Sequence, residues 1–185
     1  MWKVEHTAIE GLLVLTPTVF EDARGHFLET FNDRTFKAAT GLDLHFVQDN
    51  ESLSRKGVLR GLHFQAEPHA QGKLVRVVHG AVMDVAVDIR SGSPTYGKHV
   101  KVQLDARSKR MFWIPPGFAH GFVALEPDTL FAYKCTGHYH RASERTIRWN
   151  DPELAIDWGI ERPDVSEKDA QGAPFSSAGV EQRLR

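Results

Sequence analysis

The sequence predicts a mostly β protein whose antiparallel strands form a sandwich, a jelly roll or a small barrel. Short segments rich in β-branched and aromatic residues recur about every ten residues and are bounded by Gly, Pro, Asp or Ser. Only one segment, 32–40, has the composition and flanking signals of a helix. The length of 185 residues is sufficient for one globular domain with a substantial core.

The predicted strands follow one another closely along the chain. They cover residues 27–31, 73–78, 81–89, 99–104 and 129–134. His79-Gly80 is a candidate tight turn between two of these strands, and residues 91–94 end the next one. This spacing is typical of neighbouring antiparallel strands joined by short connections.

The helix at 32–40 has Asn32 or Asp33 as its N-cap and Gly41 as its C-terminal stop. From about residue 150 onward, Pro, Asp, Gly and Ser become more frequent. We therefore expect one domain over residues 1–185, with 150–185 as a peripheral C-terminal extension of turns and short helices.

Charge and targeting signals restrict the possible partners. The chain has 23 Lys and Arg against 24 Asp and Glu, a formal charge of -1, so no basic excess points to nucleic acid. The start is polar and no apolar run is long enough for a signal peptide or a membrane span, which predicts a cytoplasmic protein without membrane contact. Cys135, the single cysteine, excludes an internal disulfide and a site with several thiolates.

The ten histidines are unusual for this length, and His63 is the first candidate functional residue. It lies in the apolar segment Arg60-Gly61-Leu62-His63-Phe64-Gln65. Strict strand alternation places His63 and Gln65 on one face and Arg60 on the other, unless Gly61 hosts a bulge that redirects one of them.

The second candidate is His120, which follows the stiff turn Pro115-Pro116-Gly117 at the start of another apolar strand. The pattern Pro-x-Gly-x-x-His is the second motif of cupin-type jelly rolls. The first cupin motif requires two histidines at His-x-His spacing and a Glu, but Gln65 occupies the second position and no Glu is in register. Since transition metals need three or four convergent ligands, we predict a cupin-type jelly roll without metal.

Several motifs in order resemble the dTDP-4-dehydrorhamnose 3,5-epimerase family, over almost the whole chain from about residue 9 to 174. They are residues 58–65, 71–76, 84–90, 113–122 and 149–152. The resemblance implies a homodimer without cofactor that inverts C3 and C5 of dTDP-4-dehydro-6-deoxy-D-glucose to give dTDP-4-dehydro-L-rhamnose.

The resemblance also implies catalytic roles. His63 would be the base, Asp169 the carboxylate that orients it, Tyr133 the proton donor, and Lys73 the cation that stabilises an enolate on O4. Pattern alone favours a core aromatic at Tyr133 and a solvated residue at Asp169, and it leaves Lys73 open as a surface lysine. Asp84 and Asp88, polar positions in an apolar strand, are candidate partners of Lys73 or His63.

Matched positions further imply contacts to the dTDP-sugar. Arg24 would hold the diphosphate, Tyr139 would stack on thymine, and His120 would contact the hexose. The segment that carries Arg24 would be contributed in part across the dimer interface. The matched substrate-contacting residues are Arg24, Glu29, Gln48, Asn50, Arg60, His120, Tyr139, Glu144 and Lys168.

Three alternatives remain open from sequence. The nearest is a relative that epimerises only C3 or only C5, or a ketoisomerase that acts on a related dTDP-sugar. A metal-dependent cupin enzyme would use His63 and His120 as ligands. A non-catalytic sugar-binding cupin would retain the nucleotide contacts without the acid–base groups, against which stands the joint presence of His63, Lys73, Tyr133 and Asp169.

Overall fold

The computed structural model describes residues 2–177, which form two facing six-stranded sheets and a separate two-stranded hairpin. The strands are Lys3–His6 (β1), Leu13–Thr16 (β2), Val19–Asp22 (β3), Gly25–Leu28 (β4), Gln48–Ser54 (β5), Val58–Gln65 (β6), Lys73–His79 (β7), Ala81–Asp88 (β8), His99–Asp105 (β9), Met111–Ile114 (β10), Phe118–Ala124 (β11), Thr129–Cys135 (β12), Glu144–Thr146 (β13) and Asp164–Val165 (β14). Asp33–Thr40 forms α1, Glu167–Ala170 forms α2, and Arg141–Ser143 is a short 3-10 helix.

The first sheet has the order β1-β2-β10-β7-β12-β5, and the second has the order β13-β6-β11-β8-β9 with β14 parallel to β6. All other pairings between the described strands are antiparallel, so the predicted mostly β jelly roll is confirmed. The predicted strands at 73–78, 81–89, 99–104 and 129–134 correspond to β7, β8, β9 and β12.

The main core lies between the inner faces of the two sheets. Its aromatic residues Phe112 and Phe131 are completely buried. Burial of such a side chain contributes about 1.5–3 kcal/mol. Aliphatic side chains pack around these rings, among them Val14, Val75, Val77, Val82 and Ala86.

Each sheet is also covered on its outer face. Phe36 of α1 packs with Trp113 and Trp2 over the first sheet. The second sheet packs against the segment that follows β13, which buries Leu154, Trp158 and Phe175. Residues 150–177 of the predicted extension thus cover the second sheet and add β14 to it. Residues 178–185 lie outside the described part of the chain. One domain over 1–185 remains a prediction.

The helix α1 begins and ends where its sequence signals indicate. The Asn32 side chain accepts hydrogen bonds from the backbone N–H groups of Arg34 and Thr35, and Gly41 adopts the left-handed conformation with φ of 75°. None of the described helices is long or apolar enough to cross a membrane.

The strand predicted at 27–31 is wrong in its bounds, because β4 runs from Gly25 to Leu28 and shares only residues 27–28 with it. Glu29 instead accepts hydrogen bonds from Asn32 Nδ2 at 3.1 Å and from Thr35 Oγ1 at 3.0 Å. Phe31 packs against Phe36 and Phe46. The chain therefore turns from the hairpin directly into the cap of α1.

Candidate active site

Two adjoining cavities open between the sheets, and His63, Lys73 and Tyr133 line both of them. The inner cavity has a volume of about 190 Å³ and is also lined by Ser52, Arg60, His120, Phe122 and Phe131. The outer cavity has a volume of about 300 Å³ and is also lined by Gln48, Asn50, Phe64, Gln65, Gln71, Cys135, Tyr139 and Glu144. The three shared residues stand at the junction of the two spaces.

The first sheet brings its polar residues together through the two-residue strand period. On β12, Tyr133 and Cys135 therefore point to the same face. Tyr133 lies opposite Asn50 of β5, and Cys135 lies between Gln48 of β5 and Lys73 of β7. Alternate residues of three neighbouring strands thus form one wall of the cavities.

The second sheet supplies the opposite wall, where His63 of β6 pairs with His120 of β11. The register shifts between this pair and the pair of Phe122 with Arg60. At Gly61, φ is 140°, and a Cβ there would lie only 2.5 Å from the Gly121 Cα. The irregularity brings Arg60 into the inner cavity with His63, so strict alternation is wrong here and the bulge that the sequence left open is present.

His63 is held by a carboxylate from the far end of the chain. Its Nε2 lies 2.5 Å from Asp169 Oδ1, and the Gly61 N–H donates to Asp169 Oδ2 at 3.3 Å. Asp169 is only 3% exposed, whereas 31% of the His63 side chain is accessible. Burial opposes ionisation of Asp169, but hydrogen bonds from His63, Gly61 and Ser166 outweigh it and hold its pKa below the ordinary value.

A second histidine–carboxylate pair lies deeper. His120 Nε2 donates to both oxygens of Asp84 at 3.0 Å, and both side chains are buried. Burial lowers the pKa of His120 in spite of Asp84, so the ring is neutral at pH 7. Of the two candidate partners of Lys73 or His63, Asp84 hydrogen-bonds to His120 and acts on Lys73 only through its charge. The pairing is wrong for Asp88, which binds Arg90 through two hydrogen bonds of 2.9 and 2.7 Å.

Lys73 and Tyr133 are adjacent, with Lys73 Nζ 5.9 Å from the centroid of the Tyr133 ring. Burial lowers the pKa of Lys73, although Cys135, Asp84 and Glu144 oppose this shift. Burial raises the pKa of Tyr133, so the phenol carries its proton at neutral pH. The cavity junction therefore combines a carboxylate-held imidazole, a buried lysine and a protonated phenol.

The rim of the outer cavity is one hydrogen-bonded network. Tyr139 donates from its hydroxyl to Glu144 Oε2 at 3.1 Å and from its backbone N–H to Gln48 Oε1 at 2.8 Å. Lys168 Nζ lies 2.5 Å from Glu144 Oε1. Burial opposes ionisation of Glu144, but Lys168 and Tyr139 keep its pKa below the ordinary value. Tyr139 is itself 53% exposed, so its ring is available to a ligand.

Two predicted contact residues lie away from both cavities. Arg24, at the tip of the β3–β4 hairpin, binds only Asp22 of its own hairpin among the described residues, at 2.6 Å. Glu29 is engaged at the cap of α1. The hairpin also exposes Phe20 and Phe27, at 62% and 70%.

Sequence reasoning missed the places of Gln65 and Cys135 in the outer cavity. It singles out Asp84 but not its hydrogen bond to His120, because alternation shows the face of a residue and not its neighbour. From the sequence, Gln65 is considered only as the residue that replaces a metal-ligating histidine, and Cys135 only as a cysteine without a disulfide partner. Cys135 follows Tyr133 by two residues, and this spacing was the available signal that it lines the same wall.

The arrangement fits acid–base chemistry better than metal binding. Within residues 2–177, no group of three or more His, Cys, Asp or Glu residues is arranged to hold a metal ion. A further depression of about 330 Å³ lies on the outer face of the first sheet and is lined by charged residues such as Asp49, Glu51, Arg76 and Lys134. Among the described residues, no histidine lines it. Proton transfer next to a stabilised anion is thus the chemistry that the paired cavities support.

Comparison with known proteins agrees with this chemistry. The sequence model of the dTDP-4-dehydrorhamnose 3,5-epimerase family matches residues 6–177. The dTDP-4-dehydrorhamnose 3,5-epimerase of Shigella flexneri is 52% identical over 176 residues, which cover 95% of this chain and 97% of that protein.

Solved structures give the same result. The dTDP-6-deoxy-D-glucose-3,5-epimerase of Legionella pneumophila, in complex with dTDP-4-keto-L-rhamnose, has a TM-score of 0.92 and 48% identity over 95% of this chain and 94% of that one. A 3'-monoepimerase of Streptomyces bikiniensis, in complex with dTDP-quinovose, has a TM-score of 0.88 and 34% identity over 93% and 87%. By the extent of the family match and the identity to its members, the chain belongs to the dTDP-4-dehydrorhamnose 3,5-epimerase family.

Proposed function

We propose that this protein epimerises C3 and C5 of dTDP-4-dehydro-6-deoxy-D-glucose, without a cofactor, to give dTDP-4-dehydro-L-rhamnose. The observation that carries the proposal is the junction of the two cavities. There the His63–Asp169 pair, the Lys73 cation and the protonated Tyr133 phenol line one space large enough for a hexose.

The first chemical step is removal of a proton next to the C4 ketone. Because Asp169 accepts from His63 Nε2, the neutral ring carries its lone pair on Nδ1, which is then the basic atom. The Asp169 carboxylate stabilises the imidazolium that forms. Proton removal leaves an enolate on O4, and the Lys73 ammonium is the cation placed to stabilise it.

The second step returns a proton to the opposite face of the carbon. Tyr133 is the donor, since burial raises its pKa and keeps its hydroxyl protonated. Inversion requires that donor and base face the sugar from different sides. His63 lies on β6 of one sheet and Tyr133 on β12 of the other, and this placement supports the assignment.

The remaining contacts orient the substrate. His120, fixed by Asp84, and Arg60 line the inner cavity and are proposed to contact the hexose. The outer cavity is proposed to take the nucleotide, with Tyr139 stacked on thymine and Lys168 near the diphosphate. Gln48, Asn50 and Glu144 complete the polar lining there.

We further propose a cytoplasmic homodimer in which each site is shared. Arg24 and Glu29 reach neither cavity of their own chain, yet the hairpin projects two exposed aromatic rings, Phe20 and Phe27. A second copy of the chain would bring this hairpin to the site and cover the exposed rings.

Incubation with dTDP-4-dehydro-6-deoxy-D-glucose in heavy water tests the function, with NMR of the recovered sugar as the readout. Deuterium at both C3 and C5 with inverted configuration supports double epimerisation. Label at one carbon indicates a mono-epimerase, like the 3'-monoepimerase of Streptomyces bikiniensis. A shifted ketone indicates a ketoisomerase, and binding of dTDP without exchange indicates a sugar-binding protein.

Chelation tests the proposal that no metal takes part. Gln65 cannot easily serve as a ligand, because its amide is committed to backbone groups of neighbouring loops. We expect full activity after dialysis against EDTA. Loss of activity that zinc, iron or manganese restores would instead establish a metal-dependent cupin enzyme.

A further inference from the structure

We propose that Gln65 is a positioning residue that fixes the nucleotide-binding end of the site relative to the catalytic base His63. The inference rests on the proposed function, in which Tyr139 stacks on the nucleotide base. It concerns the connection between β6, which carries His63, and the loop that carries Tyr139.

The Gln65 amide makes three hydrogen bonds, two donated by its nitrogen and one accepted by its oxygen, and all three go to backbone groups. Its Nε2 donates to the carbonyl oxygens of His69 at 3.0 Å and of His138 at 3.3 Å. Its Oε1 accepts from the backbone N–H of His140 at 2.6 Å. The side chain is only 8% exposed, so water cannot easily replace these partners.

Two of the three bonds bracket one residue. His138 and His140 stand on either side of Tyr139, so the Gln65 amide holds the backbone before and after the proposed stacking ring. The third bond ties the 66–70 loop to the same point, and the His69 and His140 rings stack at 3.7 Å between the two loops. The amide therefore joins both loops that rim the outer cavity.

The position of Gln65 on β6 makes this connection relevant to the reaction. Gln65 follows His63 by two residues, so the two side chains leave the same face of one strand about 7 Å apart. A nucleotide sugar has a flexible diphosphate between its nucleobase and its hexose. Holding the Tyr139 loop against the strand that carries His63 sets the distance between the bound nucleobase and the catalytic imidazole. It also reduces the conformational freedom that the loop loses when the ligand binds.

The test compares Gln65→Met with wild type and with Gln103→Met, an exposed glutamine on β9 that lines neither active-site cavity. Methionine keeps the length of the side chain but leaves two carbonyls and one N–H without their partner. We expect the Kd for dTDP and the KM for the dTDP-sugar to rise about tenfold. We expect kcat to fall less than about threefold, because the acid–base groups stay in place.

Amide hydrogen exchange without ligand gives a second readout. Exchange should accelerate within 66–72 and 137–140 and remain unchanged in β11 and β12 of Gln65→Met. Gln65→Glu retains the oxygen that accepts from His140 but opposes two carbonyl oxygens, so it should bind dTDP at least as weakly as Gln65→Met. Gln103→Met should match wild type in every measurement.

Unchanged dTDP affinity and unchanged loop exchange in Gln65→Met would overturn the proposal. So would wild-type affinity in Gln65→Glu, or a loss confined to kcat. If wild type neither binds dTDP nor turns over the dTDP-sugar, the proposed function fails. Exchange in the two loops then still decides whether Gln65 joins them.

Discussion

Asp169 Oδ1 lies 2.5 Å from His63 Nε2, although 106 positions separate the two residues in the chain. The short helix α2 packs on β6 and brings the carboxylate behind the imidazole. Ser166 caps this helix by accepting from the Asp169 N–H at 3.1 Å. The orientation of the proposed base therefore depends on a segment that folds over the outer face of the second sheet.

The first prediction concerns replacement of the proposed catalytic base, His63. His63→Ala should lower turnover of the dTDP-sugar by about two to four orders of magnitude, the usual contribution of a general base. The Kd for dTDP should change little, because dTDP lacks the hexose on which His63 is proposed to act. Steady-state kinetics and calorimetry measure the two effects, with His6→Ala, at an exposed position of β1, as control. A near-wild-type rate would remove His63 from its role.

The second prediction concerns Asp169→Asn, which preserves size but removes the charge. Asparagine cannot stabilise the imidazolium, and its amide can favour the tautomer with the proton on Nδ1. We expect kcat to fall by about two to four orders of magnitude with little change in KM. A large rise in KM at constant kcat would show that Asp169 acts on binding and not on the base.

Tyr133→Phe separates proton removal from proton return. His63 remains in place, so hydrogen at the carbons next to the ketone should still exchange with heavy water. Inversion should be lost or strongly slowed, because the opposite-face donor is missing. NMR of the recovered sugar should show deuterium with retained configuration. Inverted product at the wild-type rate would mean that another group donates the proton.

The sequence could predict those features that depend on local chemistry. The caps of α1 at Asn32 and Gly41 follow from side-chain and backbone preferences within one turn. The strands β7, β8, β9 and β12 follow from runs of β-branched residues. The hairpin β3–β4 has no such run, and its second strand was placed too far along the chain.

The arrangement of the site depended on contacts that local pattern does not encode. The face on which Arg60 lies is decided by the irregularity at Gly61, where two strands approach closely. The partner of Asp84 is decided by the pairing of β11 with β8, which places His120 within reach. Only the family resemblance pointed to Asp169, since nothing near it in sequence suggests a base 106 positions away.

The fourth prediction concerns stability and its dependence on pH. Burial alone would raise the pKa of Asp88, but hydrogen bonds from Arg90, Ser93 and Thr95 outweigh it and lower the pKa from 3.8 to about 2. A lowering of this size corresponds to about 2 kcal/mol of stability that is present above pH 4 and is lost as the pH falls towards 2. Asp88→Asn should lose about this much at pH 7.

Urea unfolding at pH 7 and pH 3 measures this contribution. The difference between Asp88→Asn and wild type should be smaller at pH 3, because the native carboxylate is then losing its advantage over the unfolded one. Glu161→Gln, at an exposed position, should match wild type at both values. An equal difference at pH 7 and pH 3 would show that shape, and not ionisation, explains the loss.

The last prediction tests whether the site is shared between two copies. Arg24 lies on the hairpin outside the cavities of its own chain, whereas His63 lies within them. If the hairpin serves the partner, Arg24→Ala and His63→Ala damage the same site from different chains. A dimer with one copy of each variant then contains one intact site and one site with both defects.

Co-expression with two tags and tandem purification yields this mixed dimer, and sedimentation verifies its size. We expect about half the wild-type rate per dimer at low substrate concentration, while each variant alone is far slower. A mixed dimer no faster than the mean of its parents, or a monomer at micromolar concentration, would show that each chain builds its site alone.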